Sequence, residues 1–213
     1  MKSSYKVIHY YSKEDGCFLA FAPELPGCFA DGKTLQLALD NLDTVIEEWI
    51  SVAKEENRDV PVPVGNNYET TNPTIFDVSK YILDKTGAIS TMALEKLSYY
   101  CLVWSLVWFG QPIFENKFQA WRDGPVCRDL FACHKGKRVV SSNLIESEHV
   151  FSAIEKMVMD SVVAIYGKED GEFLSSLTHQ EKTWLLARGN TPQEFGSSSV
   201  ISNDSIKKAY YYL

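Results

Sequence analysis

Ser90-Thr-Met-Ala-Leu-Glu-Lys-Leu-Ser-Tyr-Tyr-Cys-Leu-Val-Trp-Ser-Leu-Val-Trp-Phe109, followed by Gly110-Gln-Pro112, decides how the larger part of this chain folds. Ser90 is placed to cap a helix, and Leu94, Leu97, Cys101, Leu102, Trp104, Leu106, Trp108 and Phe109 leave that helix apolar nearly all round. Such a helix belongs at the centre of a domain. A membrane span needs about 20 continuous apolar residues, and Gly110, Gln111 and Pro112 interrupt the uncharged stretch from Leu97 to Phe114. The stretch therefore reads as a buried core helix, and no membrane segment is expected.

Outward from it, Ile75 to Lys85 is an amphipathic helix ended by Gly87. Lys117 to Trp121 is strand-like, and Asp123-Gly-Pro125 is expected to open a helix running through Phe131, with Asp123 as cap and Pro125 in the first turn. Val150 to Tyr166, Thr178 to Ala187 and Ser205 to Tyr212 complete a mainly helical set. Thr178-His-Gln-Glu181 fits the reciprocal capping box. Tyr210, Tyr211 and Tyr212 cannot all face one core from a single helix, so at least one is expected at the surface.

Upstream, residues 57 to 74 hold three prolines, a glycine and several Asn and Thr without apolar periodicity, and they read as a linker. Before the linker, Tyr5 to Tyr11 and Cys17 to Ala22 form a β-hairpin through Ser-Lys-Glu-Asp-Gly. The second run is apolar on both faces and reads as a central, doubly covered strand, with a short third strand at Cys28 to Ala30. Thr34 then caps a helix of about five turns carrying Leu35, Ala38, Leu42, Val45, Ile46, Trp49, Ile50 and Ala53. The expected fold class is α+β, with residues 1–60 as a β-β-(β)-α unit, 61–74 as linker and 75–213 as a helical domain.

The chain has 213 residues, 21 Lys or Arg and 28 Asp or Glu, for a formal net charge of -7. Residues 1 to 65 carry eleven acids against six bases, so the N-terminal part is the more acidic. That charge supplies no general field for nucleic acid, which is not expected as a partner. The five cysteines, at 17, 28, 101, 127 and 133, form no CxxC pair and fit a reducing cytoplasm. The N-terminus lacks the apolar core and cleavage site of a secretory signal.

Catalytic signatures are missing: there is no GxGxxG, P-loop, GxSxG or HExxH. Cys127, Cys133 and His134 fall short of the four ligands of a zinc site, so no metal and no cofactor are expected. A hairpin followed by a helix is also how ribonuclease H-like folds begin, but the Tyr5 to Tyr11 strand has no carboxylate to hold a catalytic cation. His179 has no visible nucleophile to serve. The densest cluster, Trp121-Arg-Asp-Gly-Pro-Val126, reads either as scaffold or as part of a recognition surface.

Two resemblances organise these residues. Residues 5 to 63, through the hairpin, Ala22-Pro-Glu-Leu-Pro-Gly-Cys28, Asp31-Gly-Lys-Thr34 and Val60-Pro-Val-Pro63, resemble the HicB-type antitoxin domain. That family implies a partial ribonuclease H-like fold without nuclease activity, which masks a small RNA-cleaving toxin. A DNA-binding segment usually follows it; no such segment is read in this sequence, so autorepression by that route is not expected. Residues 76 to 212 are similar to the SocA-like Panacea domain, through Glu95-Lys-Leu-Ser-Tyr-Tyr100, Phe118-Gln-Ala-Trp-Arg-Asp-Gly-Pro-Val126, Tyr166-Gly167, Leu177-Thr-His-Gln-Glu-Lys-Thr-Trp184, Ala187-Arg188 and Ile206 to Tyr211. Its members neutralise unrelated toxins, including small alarmone synthetases, and one relative acts as an adaptor delivering its toxin to a protease.

The resemblance implies a non-enzymatic, cytoplasmic antitoxin of a bacterial or phage type II toxin-antitoxin system, acting by direct binding to a cognate protein toxin. The alternatives are a proteolytic adaptor and, behind it, a nuclease or hydrolase. A homo-oligomer through the HicB-like part is a further expectation. The motif positions carried over as partner-binding candidates are Lys96, Tyr99, Trp121, Arg122, Asp123, Gly124, Thr178 and His179. No catalytic residue is expected.

Overall fold

The computed structural model describes residues 4–12, 15–63 and 70–210. The chain divides into two compact units, the boundary falling between Glu69 and Thr70.

In the first unit, β1 (Ile8–Ser12), β2 (Cys17–Phe21) and β3 (Phe29–Gly32) form an antiparallel sheet in the order β1-β2-β3. The helix α1 (Leu35–Glu55) begins where Thr34 Oγ1 accepts from the Leu37 amide at 3.2 Å. Gly32 is what lets strand and helix meet so closely: a Cβ there would stand 2.4 Å from the Ala38 nitrogen. Ala20, Ala30, Ala38, Leu42 and Ile46 form the core between sheet and helix. β2 is central in pairing but only Ala20 in it is fully buried, so the expected double cover is corrected to a helix on one face. Directly opposed residues of antiparallel strands share a face; Ile8, Phe21 and Phe29 therefore form a row on the side away from Ala20, and Phe29 is 65% exposed.

In the second unit, α2 (Ile75–Thr86) starts at a capping box of Thr74 and Asp77, and α3 (Thr91–Phe109) at Ser90. Fourteen of the nineteen α3 residues are buried, because α2, α5 (Ala153–Tyr166), α6 (Gly171–His179) and α8 (Asn203–Tyr210) pack around it. The apolar helix is thus the axis of this unit. A two-stranded ladder joins β4 (Ile89–Ser90) to β7 (Val139–Val140). A second sheet has the order β6 (Gly124–Cys127), β5 (Phe118–Trp121), β8 (Val200–Ile201).

Two local expectations are corrected. Asp123-Gly-Pro125 does not open a helix: residues 118 to 127 are a hairpin with Arg122-Asp123 at its tip, and α4 runs from Arg128 to His134. Gly124, at φ +101, supplies the backbone that a tight hairpin needs. Pro125 is tolerated because β6 is an edge strand. Thr178 likewise ends α6 instead of opening a helix; its hydroxyl donates to the Ser175 carbonyl at 2.9 Å, and α7 (Lys182–Arg188) starts after a break at Gln180 and Glu181. Of the three closing tyrosines, Tyr210 ends α8; Tyr211 and Tyr212 lie outside the described residues, as do residues 64–69 of the expected linker.

Candidate partner-binding site

The β5–β6 hairpin is fixed from below by three side chains of α6 and α7. The Trp184 indole donates to the Trp121 carbonyl at 3.0 Å, Arg188 donates to the Ala120 carbonyl at 2.9 Å, and Ser175 donates to the Asp123 carbonyl at 2.9 Å. Arg188 also binds the carbonyls of Pro192 and Phe195, each at 2.7 Å, and its guanidinium lies over the Trp184 ring. Every one of these bonds runs from a side chain to backbone, so the hairpin's own side chains are left for other uses. Arg122 and Asp123 pair with each other at 3.2 Å and remain exposed at the tip. Trp121 is half-buried, bonded to Gln119 and packed against Phe131 with ring centres 4.9 Å apart.

Under the hairpin sit the two charges that α3 carries in its apolar run. Glu95 accepts from the Cys127 amide at 2.9 Å and meets His134 Nε2 at the same distance, deep in the protein. Burial pushes the Glu95 carboxyl up, against the pull of these bonds and of Lys96. Lys96 is 1% exposed and donates to the Pro125 carbonyl at 3.2 Å. Burial draws its ammonium down to about 8, while Glu95 and Asp123 oppose the shift. Gly124 closes over it: a Cβ at 124 would lie 2.6 Å from Lys96 Cε and 2.7 Å from Thr178 Oγ1. Beside these groups opens a cavity of about 670 Å³ walled by Met92, Glu95, Lys96, Trp121, Arg122 and Phe131, among others.

The eight carried-over residues fall into two sets. Trp121, Arg122 and Asp123 stand at the surface of the hairpin, and Lys96 lies in the cavity wall. Gly124 and Thr178 are buried beneath them as spacers. Tyr99 is fully buried, with its hydroxyl 2.9 Å from Thr183 and its ring edge-on to Phe118. His179 packs on the Trp184 ring at 4.3 Å and bonds Gln193 at 3.0 Å, and burial lowers its pKa, with the Lys96 charge adding to the effect. Arg128, Phe131 and the pairing of Glu95 with His134 belong to the site without having been expected there. Their one advance signal is the adjacent Glu95-Lys96 in an otherwise apolar helix. Among the described residues, no cluster of three or more His, Cys, Asp or Glu is arranged to hold a metal ion.

Residues 3–61 match the family described as UPF0150-like, and residues 94–185 match the Antitoxin SocA-like, Panacea domain. The chain is 42% identical to UPF0150 protein Ta0767 of Thermoplasma acidophilum over 48 residues, 22% of this chain and 70% of that protein. The chain belongs to the UPF0150-like family and carries a SocA-like Panacea domain. It is also 36% identical to UPF0150 protein ssl0259 of Synechocystis sp. over 58 residues, 27% of this chain and 78% of that protein. No solved structure matches the chain. The Panacea match runs from within α3 into α7 and so contains the hairpin, Lys96 and most of the cavity wall. The UPF0150-like match is the HicB-like sheet and helix. No helix among the described residues is long and apolar enough to cross a membrane. The SocA-like match supports an antitoxin role.

Proposed function

We propose that this protein is a cytoplasmic antitoxin that neutralises a cognate protein toxin by direct binding, and that the tip of the β5–β6 hairpin is part of the contact surface. The observation that carries this reading is the division of labour at the hairpin. Trp184, Arg188 and Ser175 hold its backbone, while Arg122 and Asp123 are exposed at the tip and Trp121 is half-buried beside them. A preorganised tip with an aromatic and an arginine is the composition in which binding energy concentrates. Lys96, Gly124, Tyr99, Thr178 and His179 then act as supports that set the tip's position. The acidic charge of -7 would speed encounter with a basic toxin.

In this reading residues 1–60 and 75–213 work as two modules joined through 61–74, the HicB-like one adding contacts or self-association through the row of Ile8, Phe21 and Phe29. The mechanism is occlusion, with no chemical step. Co-expression with the product of the adjacent reading frame tests it. Restored growth together with a stable complex is the expected result. Growth restored with disappearance of the toxin would replace occlusion by delivery to a protease, and absence of both rescue and complex would sink the proposal.

A further inference from the structure

We infer that the cavity beneath Trp121 binds a small organic anion, a carboxylate or phosphate on a flat body, with its charge on Lys96 and its body against Trp121. This goes beyond the antitoxin reading and does not depend on it. Lys96 offers three N–H donors, and among the described residues its one hydrogen-bond acceptor is the Pro125 carbonyl. The nearby acids do not fill the remaining directions. Glu95 spends its two oxygens on His134 and on the Cys127 amide, and Asp123 is paired with Arg122 at the surface. An ammonium that is 1% exposed and incompletely bonded is costly to keep. The single bond to the Pro125 carbonyl supports the hairpin but leaves the other donors of the ammonium unmet.

The space beside it has the size and lining of a ligand site. Its volume of about 670 Å³ falls within the range of small-molecule pockets. One wall is apolar and aromatic: the Trp121 ring, with Phe131 packed against it at an interplanar angle of 59° and Met92 among the lining residues. Arg122 and Arg128 stand exposed among the lining residues, where they add positive potential for an incoming anion. A buried cation beside an aromatic wall selects a ligand with a charged end and a flat apolar end.

Isothermal titration of the full chain with inorganic phosphate, benzoate and AMP tests this. Saturable binding of benzoate or AMP is expected, tighter than that of phosphate, which lacks a body to stack. Lys96→Met should weaken it by about tenfold or more while the variant melts no lower than the parent. Absence of saturable binding for all three probes at millimolar concentration, or unchanged affinity in K96M, would overturn the inference. If K96M does not fold, Arg128→Ala carries the test, since that side chain is exposed: severalfold weaker binding supports the site, and unchanged affinity overturns it.

Discussion

Glu95, buried, and Glu181, half-buried, are both carboxylates drawn into the Panacea domain, yet their surroundings differ in kind. Glu95 meets a histidine and a backbone amide, lies next to an incompletely bonded lysine, and borders a cavity. Glu181 instead accepts from the Tyr100 hydroxyl at 2.8 Å and the Thr183 hydroxyl at 3.3 Å, and Tyr210 of α8 also donates to it. Stacked rings close the second cluster, Tyr100 on Tyr166 at 4.5 Å. Burial raises the pKa of both acids. The difference teaches that buried charge alone does not mark a site: at Glu181 hydroxyl groups absorb the charge in a closed cluster that ties α8 down, whereas at Glu95 the charges border open space.

The largest effect that would sharpen this contrast is expected at Gly124, between Glu95's neighbour Lys96 and the solvent. Gly124→Val combines the forbidden φ of +101 with a collision against Lys96 and Thr178, and should cost about 3 kcal/mol or more, read as a fall in the denaturant midpoint. A G124V variant of unchanged stability would break the account of the hairpin. Next comes Glu95→Ala, which strips the partner from His134 and the Cys127 amide. Removing one side of such a buried pair costs about 3 kcal/mol; thermal melts check it, and a loss below that of an ordinary surface change would show the pair to be idle.

At Glu181 the expected effect is smaller and takes the form of a pH dependence. A carboxyl whose folded-state pKa is raised binds its proton more tightly in the folded chain. Its stabilising contribution is therefore complete below the unfolded carboxylate pKa and is lost as pH rises through the folded value. Glu181→Gln, which mimics the neutral form, should flatten that slope in urea titrations run from acid to neutral pH. A slope identical to the parent's would mean that the tyrosine cluster does not hold the proton. The smallest effect on stability belongs to the hairpin tip: Arg122→Ala and Asp123→Ala remove an exposed ion pair and should stay within about 0.5 kcal/mol of the parent.

The sequence and the structure agree where the information is local. Thr34, Ser90 and Gly87 mark helix ends through side-chain caps or left-handed backbone, and each stands where its own chemistry puts it. The hairpin at 118–127 departs from the expected helix because Gly124-Pro125 carries two signals at once, a turn and a helix start. Pairing with Phe118 to Trp121 decides between them, and that contact is not local. The same holds for Thr178 and Glu181, whose capping spacing is genuine but whose side chains go to Ser175 and Tyr100. In the site, Trp121, Arg122 and Asp123 could be picked out as a cluster. The Glu95–His134 pair, separated by 39 positions, could not, because no spacing rule joins a core helix to the end of α4.

The central claim is that the β5–β6 tip meets the toxin while the groups beneath it hold the tip in place. The most direct measurement is rescue of growth by the Arg122→Ala, Asp123→Ala double variant, co-expressed with the adjacent gene product and shown to melt like the parent. The account predicts lost or much weakened rescue and complex formation at parental stability. Full rescue with an intact complex would contradict it.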